Sequence, residues 1–233
     1  MAIQIQGAGG SIVEAGAFAF EPLHITAKPV DHGALGHYRV QVVTGTLAAA
    51  LAAAAQLFQF KWTDATRFAV VLKVWSGFTT LTRFTAGTVT DFGVDLFIVR
   101  SFAAGGGGTT LTLTGDNQQL RTNMGASLAQ INVSTTAALT AAITLDAQPI
   151  GQTIGGHGDQ VTPSATVAAW LNHLALQGHE GGRLLYRCSQ DAGEHPIVLA
   201  QNEGLAIRNR AVWPAAGTGI YSFGISWAEV TAF

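Results

Sequence analysis

The sequence of 233 residues predicts a mainly β protein, organised as an antiparallel β-sandwich or jelly-roll-like fold. Apolar and polar residues alternate with a period of two in several short segments, which is typical of strands that bury one face. Turn-forming residues separate these segments at fairly even spacing, as they do in sandwiches and jelly rolls. Because an alternating strand buries only one face, each sheet needs a second layer packed against it.

The clearest alternation lies in the C-terminal block from Pro196 to Glu229, which the sequence predicts to be an antiparallel meander. Apolar residues alternate there first with Arg208 and Arg210, and later with serine and glycine. The predicted strands of this block and the turns between them occupy, in order, residues 197–199, 202–204, 205–213, 214–217 and 221–227.

Eight further strands are predicted before this block, at residues 38–42, 58–62, 67–75, 94–102, 109–113, 131–134, 142–145 and 183–188. The segment 67–75 is rich in β-branched and aromatic residues and is expected to be a central strand. The alanine tract from Ala48 to Ala55 has the highest helix propensity in the chain, but it lies between two strand patterns and lacks caps. We interpret it as a strand end plus a connection, with a short helix as the alternative.

Residues Met1 to Leu35 are predicted to form an extended N-terminal arm with a short strand or two, because their glycines and prolines disfavour a packed element. A loosely ordered terminus is the alternative. Residues 36–233 form the predicted sandwich domain, which a helical insertion interrupts at about 160–180. Thr162 can cap this helix and Pro163 can occupy its first position. A second, short helix is predicted at residues 116–124.

The charge balance excludes some classes of function. Twelve basic and 14 acidic residues give a net charge of −2, whereas a nucleic-acid-binding domain needs a basic stripe. The same balance argues against electrostatic docking to a membrane. Charged residues make up only 11% of the chain, against about 25% in an ordinary soluble domain. A low-charge, Thr-rich surface is compatible with burial against neighbouring chains. The alternative is that this is a β protein whose high alanine and glycine content comes from a GC-rich genome, and the composition supports both interpretations equally.

The cysteine content and the distribution of apolar residues indicate the cellular compartment in which the chain is made. Cys188 is the one cysteine, so no intramolecular disulfide can form, and its apolar neighbours predict a buried, inert thiol. The N-terminal residues lack the basic region and apolar run of a signal peptide. No window reaches about 18 uninterrupted apolar residues, so no membrane span is predicted. We therefore expect the chain to be made in a cytoplasm.

No metal or cofactor site is predicted from motif spacing. The histidines, which include His32, His37, His157, His173, His179 and His195, are scattered. There is no H-E-x-x-H motif and no Cys/His pair with zinc spacing. The four glycines at 105–108 precede a Thr-rich strand pattern, whereas a phosphate-binding loop would lead into a helix through a Lys-Ser or Lys-Thr pair.

No catalytic residue is assigned either. The chain lacks a G-x-S-x-G elbow, and Ser11 and Ser127 are poor matches to one. Asp91 and Asp95 are four residues apart around Gly93 and are expected to flank a turn, although a pair of acids in a cleft could serve glycoside hydrolysis.

The tryptophans are Trp62, Trp75, Trp170, Trp213 and Trp227. They lie on separate predicted elements, and most share the apolar phase of their strands, so we expect them in the core. The alternative is an exposed sugar-binding face.

Several motifs, in this order along the chain, resemble a family of tailed-bacteriophage virion structural proteins. They are Gly36-His37-Tyr38-Arg39, Phe58-Gln59-Phe60-Lys61-Trp62-Thr63, the segment 111–117, Leu120-Arg121-Thr122-Asn123-Met124, the segment 144–149 and the segment 195–204. The final strand also carries Gly219, Phe223, Trp227 and Glu229 in the family's order. The resemblance covers most of residues 1–150 and 183–233, and the insertion at 160–180 lies outside it.

The resemblance implies a non-enzymatic virion protein, most simply a decoration or cement protein on the capsid surface after synthesis in the host bacterial cytoplasm. Its implied partners are the major capsid protein and copies of itself in a homotrimer, with no cofactor, no direct nucleic-acid contact and no membrane. The arm from Met1 to Leu35 is the expected protein-contact segment. A tail or fibre component that binds a host receptor or glycan is the alternative, and a free enzyme is a third class.

Overall fold

A computed structural model describes residues 4–6, 12–14, 36–48, 50–82, 84, 91–103, 107–113, 118–120, 124–153, 183–189 and 194–231. The chain divides into two compact units, Met1–Asp31 and His32–Phe233. In the first unit, strand β1 (Gln4–Gln6) pairs antiparallel with β2 (Ile12–Glu14). Most of the predicted arm, all of the predicted helix at 160–180 and most of the predicted helix at 116–124 lie outside the described residues.

The described part of the second unit is built from strands. They are β3 (Gly36–Val43), β4 (Gln56–Trp62), β5 (Phe68–Thr82), β6 (Val94–Phe102), β7 (Thr109–Leu111), β8 (Ala129–Val133), β9 (Ile143–Leu145), β10 (Gly151–Gln152), β11 (Arg183–Arg187), β12 (Ile197–Leu199), β13 (Gly204–Asn209) and β14 (Thr218–Val230).

Two antiparallel sheets contain these strands. A seven-stranded sheet has the order β10-β6-β13-β4-β8-β7, and β9 also pairs with β6. A five-stranded sheet has the order β11-β5-β14-β3, and β12 also pairs with β5. The predicted mainly β class with two antiparallel sheets is confirmed, and so is the central position of β5, which has partners on both edges.

The prediction of a C-terminal meander is wrong. β12 belongs to the five-stranded sheet, β13 to the seven-stranded sheet and β14 to the five-stranded sheet again, so these consecutive strands do not pair with one another. The hydrogen bonds of the first turn explain the crossing. The Asn202 N–H donates to the carbonyl of Trp62, and the Glu203 carbonyl accepts the Trp62 N–H, so the turn is fixed to the end of β4 and not folded back onto β12.

The alanine tract is a connection, as interpreted from the sequence, and its described residues form turns and not a helix. Ala50 and Ala54 have φ angles of 59° and 60°, in the left-handed region that interrupts a helix. Leu51 accepts a hydrogen bond from the Trp213 N–H, and the Ala54 N–H donates to Asn209, both at 2.9 Å. The tract is therefore held against the segment that links β13 to β14.

The core lies between the two sheets and is rich in aromatic side chains. At one end, the Phe78 ring lies 5.0 Å from Phe92 and 4.8 Å from Tyr221, measured between centroids. At the other end, Trp227 stacks on Tyr38 at 5.4 Å and meets Phe60 edge-on at 5.1 Å. The prediction that the tryptophans lie in the core is confirmed for Trp62, Trp213 and Trp227. Trp75 is also buried, but on the outer face of the five-stranded sheet and outside this core.

The fold predicts a large cost for truncating Trp227. Its side chain is fully buried between the sheets, so Trp227→Ala should lower the free energy of unfolding by about 3–5 kcal/mol. Val212→Ala is the matched control, because Val212 is 59% exposed and an exposed site should change stability by no more than about 0.5 kcal/mol. Chemical denaturation measures both variants. Equal midpoints for Trp227→Ala and the wild type would contradict the core position.

Candidate interaction surface

The two aspartates considered as catalytic acids form an ion-pair cluster with Arg210. Arg210 Nη1 lies 3.1 Å from Asp91 Oδ2, and Nη2 lies 2.7 Å from Asp95 Oδ1. Asp91 Oδ1 also accepts the Gly93 N–H at 2.7 Å, which closes the turn before β6. Asp91 and Asp95 therefore flank a turn, as predicted, and tie the start of β6 to the end of β13.

Arg210 also determines the electrostatics of this cluster. Its hydrogen bond with Asp95 is the main reason that the pKa of Arg210 is raised, so the guanidinium keeps its charge. The three side chains are only 17–29% exposed. Both carboxylates are engaged by a permanent cation, and neither is positioned as a free general base.

A second cluster surrounds the carboxyl group of Glu229, which is fully buried. Glu229 Oε1 accepts hydrogen bonds from the Ser127 hydroxyl at 2.7 Å and from the Leu128 N–H at 3.1 Å. Burial raises the pKa of Glu229; these two donors, the Trp227 indole and the charge of Arg67 oppose the rise. Ser127 is thus a partner of a buried acid and not a nucleophile beside a base.

Tyr38 extends this cluster on β3. Its hydroxyl donates to the carbonyl of Gly125 at 2.9 Å, and burial raises its pKa to about 12. Together, Tyr38 and Glu229 attach the segment 124–128 to the five-stranded sheet. The burial of Glu229 was not predicted from the sequence, although the pattern of β14 contains a signal for it. Glu229 shares the inward phase of Tyr221, Phe223, Ile225 and Trp227.

The described histidines and the cysteine make local contacts. His37 Nε2 lies 3.3 Å from Ser226 Oγ, and His195 Nδ1 lies 2.7 Å from the Pro196 carbonyl. Cys188 is half-buried, with Sγ 3.6 Å from the Glu194 carbonyl, so the prediction of a buried thiol is wrong. β11 ends one residue earlier, at Arg187, which leaves Cys188 at the sheet margin. His32, His157, His173 and His179 lie outside the described residues.

A small cavity of about 20 Å³ lies beside Phe78, Phe92, Thr153, Arg183 and Tyr221, which is room for about one water molecule. Within the described ranges, no three His, Cys, Asp or Glu side chains converge as metal ligands.

The outer face of the five-stranded sheet carries a row of basic side chains. Cross-strand register places Arg39, Ser226, Lys73 and Arg187 side by side on β3, β14, β5 and β11. We call Arg39, Lys73 and Arg187 the basic row. Arg39 and Arg187 are exposed, and three cations in one line concentrate positive charge on this face.

Trp75 lies next to the basic row. The Arg39 guanidinium is 4.7 Å and the Lys73 ammonium 5.7 Å from its ring centroid, within the range of cation–π attraction. The ring also packs onto Gly224, where an added Cβ would come within 2.0 Å of it, so glycine is required at this position. Trp75 is only 4% exposed, which argues against its use as a sugar-stacking platform.

The edge of β3 is the other prominent surface. β3 pairs with β14 over all eight of its residues without a register shift. On its other edge, the Leu120 N–H donates to the His37 carbonyl at 2.8 Å, and Gln119 bridges to Tyr38. The same register places Gln118 opposite Arg39. No strand among the described residues pairs with the outer side of residues 40–43, which we call the β3 edge.

Backbone geometry defines what the β3 edge offers. In an antiparallel strand, the N–H and C=O of one residue point to the same side, and successive residues alternate between sides. The His37 carbonyl points away from β14, so Arg39, Gln41 and Val43 also direct their N–H and C=O groups outward. The side chains of these three residues are exposed, Val43 by 53%.

The buried acid predicts a pH dependence of stability. The pKa of Glu229 in the folded state is raised above its ordinary value of 4.5. Below pH 4.5, protonated Glu229 therefore makes its full contribution to the stability of the fold. This contribution is lost as the pH rises through the raised pKa of the folded state. Relative to the wild type, Glu229→Gln should become progressively more stable as the pH increases.

Urea denaturation at intervals between about pH 4 and pH 9 measures this difference. Glu194→Gln is the matched control, because it removes a carboxylate from an exposed position and should give no such trend. A constant difference between Glu229→Gln and the wild type across the range would contradict the prediction.

Comparison with known proteins gives no relative for this chain: no family model, curated protein or solved structure matches it. Among the residues that the structure describes, no helix is long and apolar enough to cross a bilayer.

Proposed function

We propose that this chain is a non-enzymatic structural protein of a tailed-bacteriophage particle, and that it decorates and stabilises the head lattice. The observation that carries the proposal is the low content of charged residues, 11% of the chain, because charged groups are costly to desolvate where chains assemble. The resemblance of the sequence motifs to tailed-bacteriophage virion proteins is the reason for proposing this kind of particle.

The use of the reactive side chains supports a structural role. Asp91 and Asp95 are engaged by Arg210, and Glu229 is buried with Ser127 as its partner. These are candidate catalytic groups among the residues that the structure describes. In this chain they join strands and loops to each other, so their chemistry contributes to the fold.

The proposed mechanism is burial of surface across the joints between capsomers, which resists the internal pressure of packaged DNA. The partners are the major capsid protein and copies of the chain itself, in a homotrimer on the capsid surface. A surface with few charges supports this mechanism, because charged groups are costly to desolvate at an interface. Jelly-roll-like connectivity, the contact arm from Met1 to Leu35 and the helical insertion at 160–180 are parts of this proposal.

The basic row favours a second candidate. Positive side chains in a line on one sheet face suit an acidic glycan or an acidic receptor surface. The chain would then be a tail or fibre component that contacts the host.

Copy number separates these two candidates. Quantitative mass spectrometry of purified particles should give a ratio to the major capsid protein near one, or a simple fraction such as a third, if the chain decorates the lattice. A few to some tens of copies per particle would support the tail or fibre candidate instead. If the chain is missing from particles altogether, the virion proposal is wrong.

Removal of residues 1–35 tests the proposed contact arm. The truncated chain loses the first four residues of the compact unit that begins at His32 but keeps all of its described strands, the first of which begins at Gly36. It should therefore keep its cooperative melting transition and its strand signal in circular dichroism. It should no longer bind particles that lack the full-length chain. Normal decoration by the truncated chain would show that the arm makes no essential contact.

A further inference from the structure

We propose that the basic row binds a linear acidic polysaccharide, whose carboxylates lie along the row and therefore cross the strands of the five-stranded sheet. The biological use of this site rests on the tail or fibre role given above as the second candidate function, whereas its chemistry rests on the side chains of the row. A linear polyanion is the partner that a straight line of cations complements.

The first argument is that this part of the sheet face is in contact with solvent. Arg39 and Arg187 are exposed at the two ends of the basic row. Along the neighbouring row of the same face, Gln41 at one end is exposed, and Leu184 at the other end is 50% exposed. A ligand can therefore reach both ends of the basic row.

The second argument is that the two terminal cations carry charge that is not neutralised. The ion pairs of the described residues involve other arginines, and neither Arg39 nor Arg187 takes part in one. The described residues that share the register of the row, Ser226 and Gln118, are uncharged. Both guanidinium groups are thus available to an external anion.

The third argument is that Trp75 positions one of these cations before any ligand binds. The Arg39 guanidinium lies over the Trp75 ring at 4.7 Å from its centroid, and the ring packs onto Gly224. A guanidinium that is stacked on an aromatic face keeps its N–H donors at its rim, where a carboxylate can bind in a bidentate manner. Because stacking already restricts the side chain, carboxylate binding to Arg39 loses less conformational entropy.

The fourth argument is the spacing of the row, which suits a polymer. Arg39 and Arg187 are separated by three strand intervals in the register, so their Cα atoms are about 14 Å apart. A single small carboxylate cannot contact both residues. A chain that carries carboxylates at regular intervals can contact both, and an extended chain follows the straight line of the row.

Two other linear polyanions match the row less well. Proteins bind single-stranded nucleic acids by stacking the bases on aromatic side chains, but Trp75 beside the row is only 4% exposed. An acidic peptide is flexible in solution, so binding must order each of its residues. A polysaccharide loses less conformational freedom, because its sugar rings are already rigid.

Calorimetric titration of the purified full-length chain with polygalacturonate, which carries a carboxylate on every sugar, tests the site. Arg39→Gln should weaken binding about ten-fold, because it removes a charge-assisted bidentate pair. Arg187→Gln should weaken it about two- to five-fold, as expected for an exposed ion pair. Arg100→Gln is the matched control: it removes an arginine that is 54% exposed on β6, in the other sheet, and should leave the affinity unchanged.

The double variant Arg39→Gln/Arg187→Gln tests whether one polymer follows the row. Sites this far apart act independently, so the two losses should multiply to about twenty- to fifty-fold. Affinity of the double variant equal to that of Arg39→Gln alone would contradict the row. The melting temperature of Arg187→Gln should match the wild type, because the side chain is exposed, and this agreement shows that weaker binding does not come from unfolding.

Other polymers test the choice of partner. Neutral dextran should not bind, and oligothymidylate and polyglutamate should bind more weakly than polygalacturonate. Tighter binding of oligothymidylate would assign the row to nucleic acid, and tighter binding of polyglutamate would assign it to an acidic protein; either result overturns the proposal. No binding of polygalacturonate, or binding that no variant of the row weakens, overturns it as well.

These measurements use purified protein without particles, so they separate the two proposals. Failure to bind polygalacturonate overturns the polysaccharide site whatever the copy number on particles. Absence of the chain from particles overturns the proposed function whatever the affinity for the polysaccharide.

Discussion

The structure of the second unit depends on the antiparallel ladder between β5 and β14. The two strands pair from Thr82 opposite Thr218 to Phe68 opposite Val230, and this ladder forms the axis of the five-stranded sheet. Its inner face carries the aromatic residues that contact the other sheet, and its outer face carries Trp75 against Gly224. Glu229 lies near its end and fixes the segment 124–128. The Glu229 cluster and both faces of the five-stranded sheet are thus positioned by one pairing.

Much of this fold could be predicted from local pattern, because a period of two reports directly which side chains share a face. The strands around Tyr38, Phe58 and Val94 and the buried phase of β14 were predicted in this way. Pairing partners could not be predicted, since periodicity carries no information about which strand lies alongside. The predicted meander is wrong for this reason: the Asn202 N–H donates to the Trp62 carbonyl and the Trp62 N–H donates to the Glu203 carbonyl, and these two hydrogen bonds direct the chain into the other sheet.

The functional surfaces also divide into features that local periodicity predicts and features that depend on strand pairing. The β3 edge depends on which of the described strands lies last in its sheet, which is a property of topology and not of the residues 40–43 themselves. The basic row likewise forms only when Arg39, Lys73 and Arg187 are aligned from three distant segments. By contrast, the burial of Glu229 and of the tryptophans could be predicted from the alternation of inward and outward residues along their strands. The structure adds the reason why the aspartates are not a catalytic pair, namely the intervening Arg210.

The alternation of β12, β13 and β14 between the two sheets has a consequence for how the molecule is made. β14 is the last described strand, yet it lies inside the five-stranded sheet and pairs with β3, some of whose residues are more than 190 positions earlier, as in the pair of Ala228 with His37. Contacts of such long sequence separation slow folding, because a long loop must close before they form. The seven-stranded sheet cannot be completed before β13 has been synthesised, nor the five-stranded sheet before β14. The sandwich should therefore fold only after β14 has been added, and until then the chain is exposed to aggregation and proteolysis.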